Sequence, residues 1–160
     1  ACPAHYYTNF TYWTQHCWGV TCVNDMEAML SYQPITIGDK EQALADLVRC
    51  YEKMMMRSHT NGGYVNLLDE CWKMCEKFHT NIVIMYDHVS CKNVGGLHGL
   101  FEDQARERGI HLIWIPHDVM DPRTVSRREM REAFSQYMVT VLNEKPLDPT
   151  LLDYEDALSW

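Results

Sequence analysis

The chain has 160 residues and a mass of 18.8 kDa, enough for one domain that buries roughly two thirds of its unfolded surface. A composition of 46% hydrophobic, 22% charged and 11% aromatic residues excludes a globally disordered or fibrous chain. The net charge of -8, part of it in an acidic tail over 144–160 (Glu144, Asp148, Asp153, Glu155 and Asp156 against Lys145), argues against non-specific binding to nucleic acid or an anionic membrane.

In chain order, residues 1–10 have neither the basic start nor the apolar core of a secretory signal, and no apolar run reaches the roughly 18 to 20 residues of a membrane helix. There is no initiator Met, so the expectation is a processed form or a piece of a longer subunit. Trp18–Asn24 (WGVTCVN) is short, apolar and β-branched, as a buried strand is. After Ile37–Asp39, Ala43, Leu44, Leu47, Val48, Tyr51, Met54 and Met55 recur at three and four and predict an amphipathic helix that stops before Ser58–Gly63. Tyr64–Phe78 repeats that period with Val65, Leu68, Cys71, Trp72 and Cys75 on one stripe. Ile82–Tyr86 follows without alternation, the pattern of a strand covered on both faces. Leu97, Leu100, Phe101 and Ala105 predict a helix closed by Gly109, and IHLIWIP predicts a third buried strand. Ser126-Arg-Arg-Glu129 is a capping box that opens a last helix with Ala133, Phe134, Tyr137, Met138, Val141 and Leu142 inward. The tail is expected to lie along the surface or reach a partner.

Alternating strands and helices predict an α/β fold, an open and mostly parallel three-layer sheet of the Rossmann or flavodoxin kind with helices on both faces. Ligands of such sheets bind beyond the carboxyl ends of the strands. Three loops therefore carry the candidate chemistry. They hold Asp25 and Glu27; Asp87, His88, Ser90, Cys91 and Lys92; and His117, Asp118, Asp121 and Arg123. Any one of these polar residues alone is as well explained as a helix cap.

Seven cysteines, an odd number without regular spacing, together with ten Met and no secretory signal, point to a reducing cytoplasm in which most thiols serve as small apolar residues. Cys22 is expected to be buried in its strand, and Cys71 and Cys75 to pack in the core. Cys91 stands apart, in a loop beside Lys92 and ahead of Val94-Gly95-Gly96; a neighbouring cation and a helix N-terminus favour the thiolate that attacks carbon or binds a metal. Gly95 and Gly96, read as opening a helix, are candidates to take an anionic group on backbone N–H donors. No CxxC, no Cys/His finger, no GxGxxG and no P-loop is present. A metal-free hydrolase built on Cys91 with His88 or His117 stays open at this point.

The order of these motifs is more specific than any one of them. Strand IVIMYD, His88-Val-Ser-Cys-Lys92, a helix, Gly109–Ile115, Asp118, Asp121-Pro-Arg123, Ser126 and a long final helix together resemble the C-terminal domain of the 2-hydroxyacyl-CoA dehydratase and benzoyl-CoA reductase family, over roughly Trp18 to Leu142. The resemblance implies a cytoplasmic two-subunit core in which cysteine thiolates hold a [4Fe-4S] cluster, and an ATP-dependent activator that delivers one electron at low potential. Cys91 matches the last cluster cysteine. Glu27 stands roughly where a further cysteine is often found, so it, or a solvent or substrate oxygen, would complete the iron, with other ligands outside this chain. His88 and Ser90 are implied as polar groups next to the cluster and the thioester oxygen, and Lys92, Gly95 and Gly96 as contacts to the acyl-CoA. The implied reaction is a lyase reaction, loss of water from a 2-hydroxyacyl-CoA through a ketyl radical to give an enoyl-CoA. A ring-reducing benzoyl-CoA reductase subunit and a non-catalytic docking domain are the alternatives.

Overall fold

The computed structural model describes residues 9–26, 34–52, 57, 62–118, 120, 121 and 123–153. Along the chain these form helices α1 (Phe10–Trp18), α2 (Lys40–Glu52) and α3 (Tyr64–Phe78), strand β1 (Ile82–His88), helices α4 (Lys92–Gly95) and α5 (His98–Arg108), strand β2 (His111–His117), helix α6 (Arg127–Thr140) and a 3-10 turn at Pro149–Leu151. They divide into two compact units, one of Asn24–His79 and one of Ala1–Val23 with Thr80–Trp160.

The second unit holds the sheet. Its strands β1 and β2 pair in parallel, with Ile82 opposite His111 and His88 opposite His117. Side chains alternate along a strand, so Ile84, Tyr86 and His88 share one face with Ile113, Ile115 and His117, while Met85 and Asp87 share the other with Trp114 and Pro116. The first face is covered by α1 and α6, whose Phe10, Trp13, Met130, Phe134 and Met138 pack with Tyr86, Ile113 and Ile115 in one buried cluster. Phe134 is fully buried there, edge-on to the rings of Phe10, Trp13 and Trp18 at 5.8, 5.7 and 6.3 Å. The second face is covered by α5, whose buried Phe101 lies edge-on to Trp114 at 6.2 Å. This is the expected α/β architecture, an open parallel sheet between helices, with two strands among the described residues.

The strand expected over Trp18–Asn24 is absent. Trp18 instead closes α1, and Gly19 turns left-handed (φ 73), so that its N–H donates to the Gln15 carbonyl and that of Val20 to the Thr14 carbonyl. A Cβ at Gly19 would lie 2.8 Å from Leu147 Cδ1 as well as forcing an unfavourable φ. Past this cap the chain runs without regular structure, and Cys22, expected to be buried, is exposed. IHLIWIP is accordingly the second strand and not the third.

The cap signals hold. Gly109 ends α5 at φ 65. At Ser126 the hydroxyl oxygen accepts from the Glu129 N–H while the Glu129 carboxylate accepts from the Ser126 N–H at 2.7 Å. On α6, Phe134 and Met138 are buried as expected, with Met130 and Arg131, whereas Val141 lies past the helix end and is exposed. The tail is tied to α1: the N–H groups of Leu147 and Asp148 donate to the Cys17 carbonyl, and Trp13 Nε1 donates to the Leu151 carbonyl at 2.8 Å.

In the unit Asn24–His79, α3 buries Leu67, Leu68, Cys71, Trp72 and Cys75, which places both of its cysteines on the apolar stripe; Val65 is exposed. On α2 the result differs from the periodicity. Its N-terminus is capped by Asp39 Oδ1, which accepts from the N–H groups of Glu41 and Gln42. The residue turned inward is Asp46, which accepts from the Thr36 N–H and hydroxyl, Gln42 and Arg49, while Leu44, Leu47, Val48 and Tyr51 are exposed. No helix of the described residues is long and apolar enough to cross a membrane.

Candidate functional site

The carboxyl ends of β1 and β2 bring the second and third candidate loops together. His88 and His117 are opposed across the last rung of the pairing, their rings 5.4 Å apart and steeply inclined. The ladder continues for one bond beyond the strands, from the Val89 N–H to the His117 carbonyl at 3.0 Å. A turn follows in which the Cys91 N–H donates to the His88 carbonyl at 2.9 Å, returning Cys91 to the strand end.

That turn also orients the His88 ring. The Ser90 backbone N–H donates to Nδ1 at 3.1 Å, so the neutral ring carries its proton on Nε2. Nε2 points to Asp118 Oδ1, 4.0 Å away. Asp118 is buried, and its Oδ1 accepts from the N–H groups of Met120 (2.9 Å) and Asp121 (3.2 Å). These donors, Met120 first, hold its carboxyl below the usual carboxylate range against the opposing effect of burial; the Thr124 hydroxyl and the His88 charge add to them. Asp118 is thus a fixed anion facing a histidine whose donor edge is turned toward it.

A stability test follows from that depressed pKa. A carboxyl held low when folded stabilises the fold fully above its unfolded pKa, and the contribution is lost as pH falls through the folded value. Asp118→Asn should therefore be less stable than the parent chain at neutral pH, and the gap should close as pH falls below about 4. Urea unfolding of both proteins at neutral and acid pH measures this; a gap independent of pH would contradict it.

Cys91 is half-buried and occupies the N-cap of α4, with its carbonyl accepting from the Gly95 N–H at 3.0 Å. Ser90 and Lys92 beside it are exposed. Gly95 and Gly96 do not open a helix: Gly95 closes α4 and Gly96 joins it to α5. Their N–H groups donate to the carbonyls of Cys91 and Lys92, so what they offer a ligand is an exposed backbone without side chains, open at Gly95, where a Cβ would meet nothing within 4 Å. Asp121 is engaged by Arg123, whose N–H, Nε and terminal nitrogen all donate to its carboxylate. Glu27 lies outside the described residues, and Asp25, half-buried, belongs to the other unit.

On the opposite face of the sheet the strand ends carry a contact that the sequence reading did not single out. His98 Nε2 lies 3.3 Å from Asp87 Oδ1, and the imidazole stacks on Trp114 with ring centroids 3.6 Å apart and planes 17° from parallel. His98 is seven residues past Cys91 and two past Gly96, and only the folding of α5 onto β2 brings it to Asp87.

The 2-hydroxyglutaryl-CoA dehydratase, D-component family matches residues 1–138, which include α1, both strands, Cys91, His98 and most of α6. The chain belongs to this family. No curated protein and no solved structure matches it. Family membership makes the chain a component of a 2-hydroxyacyl-CoA dehydratase, a lyase-type enzyme.

The dehydratase family implies an iron–sulfur cluster, and the donor set can be compared with that group. Cys91 suits one attachment point, since it is held at a strand end by backbone bonds beside polar neighbours. Cys17 does not: it is fully buried, its Sγ donates to the Asp148 carbonyl at 3.5 Å, and burial pushes its thiol pKa up. Among the described residues no three His, Cys, Asp or Glu side chains are grouped so that they could hold a metal ion. These residues fit one attachment of a cluster, and the remaining ligands would come from outside them.

Proposed function

We propose that this chain is a cluster-binding subunit, or the C-terminal part of one, of a dehydratase that converts a 2-hydroxyacyl-CoA into an enoyl-CoA and water. The observation that carries the reading is the placing of His88, Ser90 and Cys91 in one turn at the carboxyl end of β1, with the His88 ring beside His117 and Asp118 at the end of β2, in a chain of the dehydratase family. Cys91 would be a ligand of a [4Fe-4S] cluster, with Glu27 as a further candidate. When bound, that group would supply one-electron reduction of the thioester carbonyl at low potential, which would let the adjacent hydroxyl leave and the electron be recovered once a proton has left the β-carbon, so that no net oxidation would occur.

The residues of this chain do the rest. His88 presents Nε2–H and Ser90 its hydroxyl as donors to charge that develops on the thioester oxygen. Asp118, kept anionic by the N–H groups of Met120 and Asp121, faces the Nε2 edge of His88 at 4.0 Å and orients that ring. Lys92 is placed beside Cys91 as a cation for the CoA phosphates, and the bare backbone at Gly95 and Gly96 allows the thioester chain to approach closely. The name D-component supports a second, related subunit as partner, and the electron requirement supports an ATP-dependent activator.

The test is anaerobic purification of the full chain with its partner subunit, followed by iron and sulfide analysis, a visible spectrum, and an assay with a 2-hydroxyacyl-CoA, activator, ATP and reductant. Iron, sulfide and enoyl-CoA formation are expected. A colourless complex after reconstitution, without turnover, would remove the proposal.

A further inference from the structure

The Asp87, His98 and Trp114 contact lies at the same carboxyl edge as the His88 site but on the other face of the sheet. Asp87 is the next-to-last residue of β1, and His98 is the first residue of α5, the helix that leaves this edge. Three restraints fix the imidazole. Its plane rests on Trp114 at 3.6 Å, its Nε2 faces the Asp87 carboxylate at 3.3 Å, and its backbone is held in a regular helix. Nε2 is closed to solvent and makes no hydrogen bond, its 3.3 Å approach to Asp87 being an ion-pair distance, yet the side chain as a whole is 34% exposed. With Nε2 closed, Nδ1 is the ring nitrogen left for a ligand.

A histidine with one nitrogen against a carboxylate and the other toward a ligand edge is arranged for proton transfer, because the carboxylate stabilises the imidazolium that forms. A purely structural role accounts less well for the arrangement. A stacking ring needs no carboxylate, and Asp87, with 37% of its side chain exposed, would otherwise be free to turn to water.

We infer that Asp87 and His98, braced on Trp114, form a proton-transfer pair of this enzyme. His98 Nδ1 takes the proton that leaves the acyl chain of the CoA thioester, and Asp87 acts as its positioning residue. This rests on the dehydratase reading for the identity of the substrate. The step is balanced: Nδ1 supplies the lone pair that becomes its N–H bond, the electrons of the broken C–H bond stay on the acyl chain, and the proton is afterwards released to the hydroxide that has already left, or to solvent, giving water.

The test uses the anaerobic complex of the full chain. His98→Ala should retain the iron and sulfide content and the spectrum of the parent while turnover falls about 10²- to 10⁴-fold with KM little changed. Added imidazole, entering the vacated slot on Trp114, should restore part of it. Asp87→Asn should lower turnover without imidazole rescue. Unchanged turnover in His98→Ala, or a loss that imidazole does not relieve, would overturn the inference. If the parent complex dehydrates no 2-hydroxyacyl-CoA, the reaction assignment fails separately, and the pair is then judged by modification of His98 with diethyl pyrocarbonate, mapped by mass spectrometry. Slower modification in the presence of an acyl-CoA supports a ligand-facing His98, and an equal rate with and without it refutes one.

Discussion

Replacing Cys91 by alanine in the full chain, purified anaerobically with its partner, should abolish the visible absorption and most of the iron and sulfide assigned to this subunit, and with them turnover. The reason is local. Cys91 is held at the carboxyl end of β1 by the bond from its own N–H to the His88 carbonyl and by the start of α4, so no neighbouring thiol of the described strand ends can replace it. Cys71→Ala is the contrast. That residue is buried on the apolar stripe of α3, and its loss should lower stability while leaving iron content unchanged. Equal iron content in Cys91→Ala and the parent would separate Cys91 from the cluster and leave the dehydratase reading without its ligand.

Phe134→Ala should be the most destabilising of simple core substitutions, by about 3 to 5 kcal/mol, read as a lower urea midpoint at unchanged slope. Phe134 is fully buried where α1, α6 and one face of the sheet meet, and three aromatic rings touch it, so the cavity cannot collapse without moving two helices. Val139→Ala on the same helix is exposed and should stay within about 0.5 kcal/mol. A loss below about 1 kcal/mol at Phe134 would mean that this cluster is not the core of the unit.

Both strand ends of the candidate site were legible in the chain itself. Ile82–Tyr86 is apolar throughout and IHLIWIP is apolar but for His111, because both faces are covered, and Gly109 and Ser126 mark helix ends through chemistry confined to a few residues. Helix α1 was legible too, but in a signal that a strand reading obscured. Phe10, Trp13, Thr14, Cys17 and Trp18 form a stripe at helical spacing and all are buried, while the β-branched run after Trp18 suggested a strand that Gly19 prevents. For α2 the period was helical and the element is a helix, yet the inward residue is Asp46, because four hydrogen bonds from Thr36, Gln42 and Arg49 outweigh the cost of its burial.

By itself the sequence determined that this is an α/β chain of the dehydratase family, that one cysteine, Cys91, stands at a strand end, and where α5 stops and α6 begins, since each of these depends on residue types at short spacing. Only the tertiary structure decided which groups meet. The in-register parallel pairing sets His88 against His117 and Asp118, and the return of α5 across β2 carries His98 onto Trp114 and Asp87. Such contacts join residues 11 to 30 positions apart through strand register and helix packing, which spacing along the chain does not encode.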